Sequence, residues 1–96
     1  LLMEETLDFD QTIGEIYKWA AQDGETLVIV TADHETGGLS LLGGSLNTGS
    51  VEVKFSTDDH SGTKVPIYAF GPGSENFSGF MDQKEIFRKM KHLLGL

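Results

Sequence analysis

Residues 26–35 read TLVIVTADHE, an unbroken apolar and β-branched run that gives way abruptly to Asp33, His34 and Glu35. A continuous run of this kind, without polar alternation, fits a strand covered on both faces, as in a sheet flanked by helices. In an open α/β sheet, ligands collect beyond the carboxyl ends of the strands, and these three side chains fall at such an end. Two readings stand here: polar residues that merely close a strand, or a group placed to bind a metal or move a proton. Consecutive strand side chains point to opposite faces. Asp33 and His34 therefore reach one ion only if the backbone leaves the strand between them, which the following Thr36-Gly37-Gly38 permits.

Working outward, residues 8–23 place Ile13, Ile16, Tyr17 and Ala20 at helical spacing, with Asp8 and Gln11 as a capping box and Gly24 as the stop. Residues 37–49, rich in Gly and Ser, read as a short strand and a mobile connection. VEVKF at 51–55 alternates in the manner of an edge strand with one wet face. VPIYAF at 65–70 reads as a second buried strand, entered through Pro66 and closed by the turn Gly71-Pro72-Gly73. The last segment, from Asp82, carries Ile86, Phe87, Met90, Leu93 and Leu94 on one helical stripe. It has Asp82 and Glu85 as a capping box and Lys91 and His92 in its final turn. Trp19 and the other aromatic residues read as core or boundary packing. Two amphipathic helices and about four strands define an α/β class, yet two central-type strands need further strands and helices to cover them. The first Met is residue 3, and the chain opens in mid-pattern, as expected of a segment of a longer protein.

Composition narrows the partners. At 96 residues the chain is one domain at most, and a domain near this size hides only about 60 to 65% of its unfolded surface. Fifteen acidic residues against seven Lys and Arg give a net charge of −8, which disfavours nonspecific attraction to nucleic acid or anionic lipid and points toward cations. The absence of Cys removes disulfides and thiolate metal sites, so any metal must sit on His, Asp or Glu. No stretch has the length or apolarity of a membrane span or an export signal.

His60 lies in the polar loop STDDHSGTKVP, residues 56–66, and reads either as an exposed loop histidine or as a ligand. If the strand at 65–70 runs antiparallel to the one at 26–32, its beginning lies near the other's end, and His60 approaches Asp33 and His34. Imidazole with carboxylate suits Zn²⁺, which takes His nitrogen and Asp oxygen at about 2.0 to 2.2 Å, whereas Mg²⁺ favours oxygen alone. His92 belongs to the helix end as a dipole-compatible cation. None of the serines sits in a nucleophile-type turn. The stretch GPGSEN lacks the lysine and spacing of a phosphate loop and reads as a plain turn.

Together, TLVIVTADHETGG, the later HSGTKVPIYAFGPG and the terminal DQKEIFRKMKHLL strongly resemble the C-terminal part of alkaline phosphatases, over about residues 8 to 94. The resemblance implies a three-layer α/β/α fold with a mixed sheet, of which residues 1–96 form an incomplete C-terminal segment. It implies a two-zinc, one-magnesium phosphomonoesterase working through a phosphoserine intermediate, in the periplasm or secreted. By this likeness Asp33 and His34 bind one zinc and His60 binds the other. The nucleophile, the remaining zinc ligands and the magnesium ligands belong to family segments preceding residue 1, so this chain carries no catalytic nucleophile and is inactive alone. Glu35 stands either as a partner of a zinc-bound imidazole or as an exposed acid. The expected partners are a phosphate monoester, the remainder of the catalytic domain, and further copies of the chain through its uncovered strands. Alternatives are a phosphodiesterase, sulfatase or phosphonoacetate hydrolase of the same superfamily, or a noncatalytic acidic metal-binding module.

Overall fold

The run 26–35 forms strand β1, Val28–Thr31, in a computed structural model that describes residues 1–96. Its partner is the second apolar run, Ile67–Phe70, and the two pair antiparallel from Val28↔Phe70 to Thr31↔Ile67. Thr31 and Ile67 close the ladder at one end, so the intervening chain leaves and returns side by side. Between them Ser40–Ser45 and Ser50–Lys54 form β2 and β3, a separate antiparallel pair with a register shift between Leu41 and Gly43. Ile67–Phe70 is accordingly β4.

Two helices complete the set: α1, Leu2–Asp23, and α2, Gln83–Leu93, with a 3-10 turn at Ser74–Phe77 before the latter. The α/β class is the one observed, and in place of the expected mixed sheet the strands of this chain form two antiparallel pairs. The chain divides into two units, one made of Leu1–Thr31 and Ile67–Leu96, the other of Ala32–Pro66.

In the first unit, α1 begins at Leu2 rather than at the Asp8 capping box. Leu2, Met3, Glu4, Glu5 and Leu7 are good helix formers with no breaker among them, so the helix runs through Asp8 and no side-chain cap starts it. It ends as expected, with Gly24 in the left-handed region and its N–H donating to the Ala20 carbonyl. α1 lays Ala20, 2% exposed, into the small core, and Tyr17 meets Phe70 of β4 with ring centroids 4.3 Å apart. A groove lined by Phe9, Ile13 and Ile16 of α1 and by Val28 and Val30 remains beside them. Trp19 faces solvent rather than the core, and β1 and β4 are only partly covered.

The deepest aromatic is Phe77, 3% exposed, in the 3-10 turn that follows the Gly-Pro-Gly turn. Lys89 of α2 donates from Nζ to the Asn76 carbonyl at 2.6 Å and ties that helix to the turn. α2 is capped by Asp82, whose carboxylate accepts from Lys84 N–H at 2.9 Å. The reciprocal half of the expected box does not form, because Glu85 pairs with Arg88 one turn on. The apolar stripe of α2 is in place but largely open, with Phe87 63% exposed.

In the second unit the glycine-rich segment 37–49 contains the expected short strand as β2, and the remainder after it is the turn of a hairpin to β3 rather than a mobile connection. Leu41, Leu42 and Val51 of this hairpin, and Leu46 at its tip, are exposed.

Candidate metal centre

All four candidate residues lie within the second unit. After β1 the chain turns sharply, and Gly37 and Gly38 both adopt positive φ, 74° and 59°. A side chain would be strained there in any case, and a Cβ on Gly37 would also lie 2.5 Å from Phe55 Cδ1. The close approach has a use. Gly37 N–H donates to the Asp59 carbonyl at 2.9 Å, and the Gly37 carbonyl accepts from Ser56 N–H at 2.7 Å and Thr57 N–H at 3.2 Å. The loop carrying His34 is thus bound by its backbone to the loop carrying His60.

His34 and His60 stack, with ring centroids 3.5 Å apart and planes 19° from parallel. Each histidine has its backbone N–H turned to the preceding aspartate, His34 to Asp33 Oδ1 at 3.1 Å and His60 to Asp59 Oδ1 at 2.8 Å. His34 Nδ1 lies 2.9 Å from the Glu35 carbonyl oxygen. A carbonyl can only accept, so this bond requires a proton on Nδ1, and in the neutral ring it leaves the lone pair on Nε2. Nε2 sits 3.5 Å from Asp33 Oδ2, with the Asp33 side chain 85% exposed and that of His34 39% exposed.

That spacing is the bite of a shared ion. Donors about 2.0 to 2.1 Å from a tetrahedral zinc stand about 3.3 to 3.4 Å from each other, so Asp33 Oδ2 and His34 Nε2 fit one Zn²⁺ with a small adjustment. His60 does not join the same pair. Imidazole lone pairs lie in the ring plane, and the two stacked rings hold theirs in near-parallel planes about 3.5 Å apart instead of in one shared plane. No set of three or more His, Asp and Glu side chains is arranged around a common ion. The stacked geometry suits two neighbouring ions better than one.

The Glu35 carboxylate bonds to the loop backbone and a hydroxyl. Oε1 accepts from Gly38 N–H at 2.7 Å, and Oε2 accepts from the Ser61 hydroxyl. The Ser61 hydroxyl, foremost, holds the Glu35 carboxyl below the usual carboxylate range, with the Gly38 N–H adding to it and partial burial opposing. The contact of Glu35 with the His34 ring is made by its backbone carbonyl. Ser61 and Asp59 are residues that sequence reasoning did not single out, the first being one serine among many and the second a loop acid beside His60. A signal was available: each of the two candidate histidines is flanked by the residue that ties its loop to the other.

A profile of the alkaline phosphatase family matches residues 1–54 and 46–96. The chain therefore belongs to the alkaline phosphatase family. It is 35% identical to an alkaline phosphatase of Escherichia coli, over 96% of this chain and 23% of that protein. Among solved structures, the alkaline phosphatase of the Antarctic bacterium TAB5 superposes with a TM-score of 0.80 at 45% identity, covering 90% of this chain and 27% of that one. A variant of the TAB5 enzyme with Mg bound superposes with a TM-score of 0.82 at 43% identity, over 94% of this chain and 29% of that one. The chain spans about a quarter of the length of these relatives.

Proposed function

We propose that this chain supplies part of the zinc-binding set of an enzyme that hydrolyses phosphate monoesters. Asp33 and His34 hold one zinc and His60 a second. The observation that carries the reading is the 3.5 Å separation of Asp33 Oδ2 and His34 Nε2, with His34 Nδ1 committed to the Glu35 carbonyl. A ligand imidazole whose other nitrogen is fixed to a carbonyl has its tautomer and orientation set in advance. Bound zinc supplies Lewis acidity and positive charge at a phosphoryl group, and a pair of ions serves both the entering and the departing oxygen of an in-line displacement.

The residues of this chain do the holding. Asp33 and His34 present two donors at a chelating distance, and His60 is stacked on His34 with its ring nitrogens in a neighbouring plane. With a net charge of −8 the chain would repel a phosphate dianion, and cations on these three side chains reverse that field locally. Phosphoserine chemistry, a magnesium site and a periplasmic or secreted location extend the same reading, and no residue of this chain is assigned as the nucleophile. No helix is long and apolar enough to cross a membrane.

The test is hydrolysis of p-nitrophenyl phosphate, its diester bis(p-nitrophenyl) phosphate and p-nitrophenyl sulfate by the whole gene product, before and after chelation and zinc readdition. The proposal expects monoester turnover that zinc restores. Preference for the diester or the sulfate would move the protein to a sibling activity, and turnover indifferent to chelation would remove the metal reading.

A further inference from the structure

The hydrogen bonds of Glu35 serve the opposite loop. Its Oε2 accepts from Ser61 Oγ–H across 26 residues of sequence, while its Oε1 accepts from Gly38 N–H in its own turn. Ser61 Oγ also accepts from Thr63 N–H at 3.3 Å, so its hydroxyl gives its proton to Glu35 and a lone pair to Thr63. Both residues are partly buried. Each stands directly after a candidate ligand, Glu35 after His34 and Ser61 after His60.

We infer that Glu35 and Ser61 form a latch that seats His60 against His34, which makes Glu35 a positioning residue for the pair of histidines. Backbone bonds from Gly37 to Ser56, Thr57 and Asp59 tie the two loops on the amino side of His60. The Glu35–Ser61 contact ties them on its carboxyl side, and His60 is fixed from both directions. A carboxylate suits the task because it offers one acceptor oxygen to each loop. Aspartate, one methylene shorter, cannot span both. Glutamine can still accept from Gly38 and donate to the second lone pair of Ser61.

The effect of the latch on metal binding rests on the zinc reading above; its effect on the histidine stack does not, and the two are measured separately. The full chain has three histidines, so labelling at the ring carbons gives separate NMR signals for His34, His60 and His92, the last in α2 as an internal reference. In metal-free buffer, Glu35→Ala and Ser61→Ala are each expected to move the His34 and His60 signals toward unstacked imidazole while His92 stays. The double variant is expected to move them no further than Glu35→Ala alone, because that change already removes every bond of the carboxylate to Ser61. Ser61→Thr, which keeps the hydroxyl, and Glu35→Gln retain the stacked signals. Should an alanine variant disturb His92 as well, Glu35→Asp against Glu35→Gln decides, the first losing the stack and the second keeping it.

Zinc competition against a chromophoric chelator then reads the consequence, an affinity about 10-fold weaker in Ser61→Ala than in the parent chain. A parent chain that binds no zinc but whose ring signals respond as described would remove the zinc reading and leave the latch supported. Stacked signals unchanged in both alanine variants, or additive shifts in the double variant, would overturn the latch.

Discussion

His34 and His60 face each other ring to ring at 3.5 Å although they stand on different loops. The cause begins in the sheet, where the antiparallel register from Val28↔Phe70 to Thr31↔Ile67 makes the end of β1 the beginning of β4. The Gly37-Gly38 turn and the Glu35–Ser61 contact carry that proximity outward to the imidazoles. A partly covered apolar ladder thus sets the two loops side by side.

Gly37→Ala tests the backbone part of that chain of causes. The residue sits at φ 74°, its N–H and carbonyl bridge both loops, and a methyl would meet Phe55 and the Thr57 carbonyl. The left-handed conformation alone costs an alanine about 1 to 2 kcal/mol. Amide exchange at Ser56 and Thr57 should therefore accelerate by about 10-fold or more; unchanged protection would show that the turn is not needed to hold the loops.

Phe77→Ala should be the most damaging single truncation in the first unit. Phe77 and Ala20 are its buried hydrophobic residues, and removing a buried Phe typically costs about 3 to 5 kcal/mol. A urea titration followed by circular dichroism should show the midpoint collapse, whereas Trp19→Ala, at an exposed position, should leave it nearly unmoved.

Asp82→Ala should weaken α2 by about 1 kcal/mol, since the Asp82 carboxylate accepts from Lys84 N–H at the helix start. Asp82→Asn should retain most of that stability because the amide oxygen caps in the same way. Thermal melts of the two variants separate capping from charge; equal losses in both would assign the effect to charge.

Self-association follows from the surfaces left open. Leu41, Leu42, Leu46 and Val51 of the hairpin and Phe87, Leu93 and Leu94 of the C-terminal segment are exposed, and every strand belongs to a two-stranded ladder with an outer edge unpaired within the sheet. Sedimentation of the chain over a hundredfold concentration range should show a rising average mass, reduced by Leu41→Lys with Leu46→Lys. A strictly monomeric species throughout would contradict this.

What the sequence disclosed is what local chemistry writes plainly. Apolar runs announced β1 and β4, Gly24 and Asp82 announced helix ends, and Thr36-Gly37-Gly38 announced the exit from the strand. The start of α1 was hidden because the residues before Asp8 are good helix formers that need no cap. The short strand read within 37–49 is β2, but its pairing with β3 was hidden because register is a long-range fact. Phe77 was obscured by the turn residues around it. The Glu35–Ser61 contact depends on tertiary geometry that no spacing along the chain encodes.

Zinc titration of the chain tests the central claim most directly, using calorimetry on the parent and on the His34→Ala and His60→Ala variants. The account predicts binding that His34→Ala weakens at the site shared with Asp33, that His60→Ala weakens separately, and that the double variant abolishes. Zinc binding unchanged in both single variants and in the double variant would contradict it.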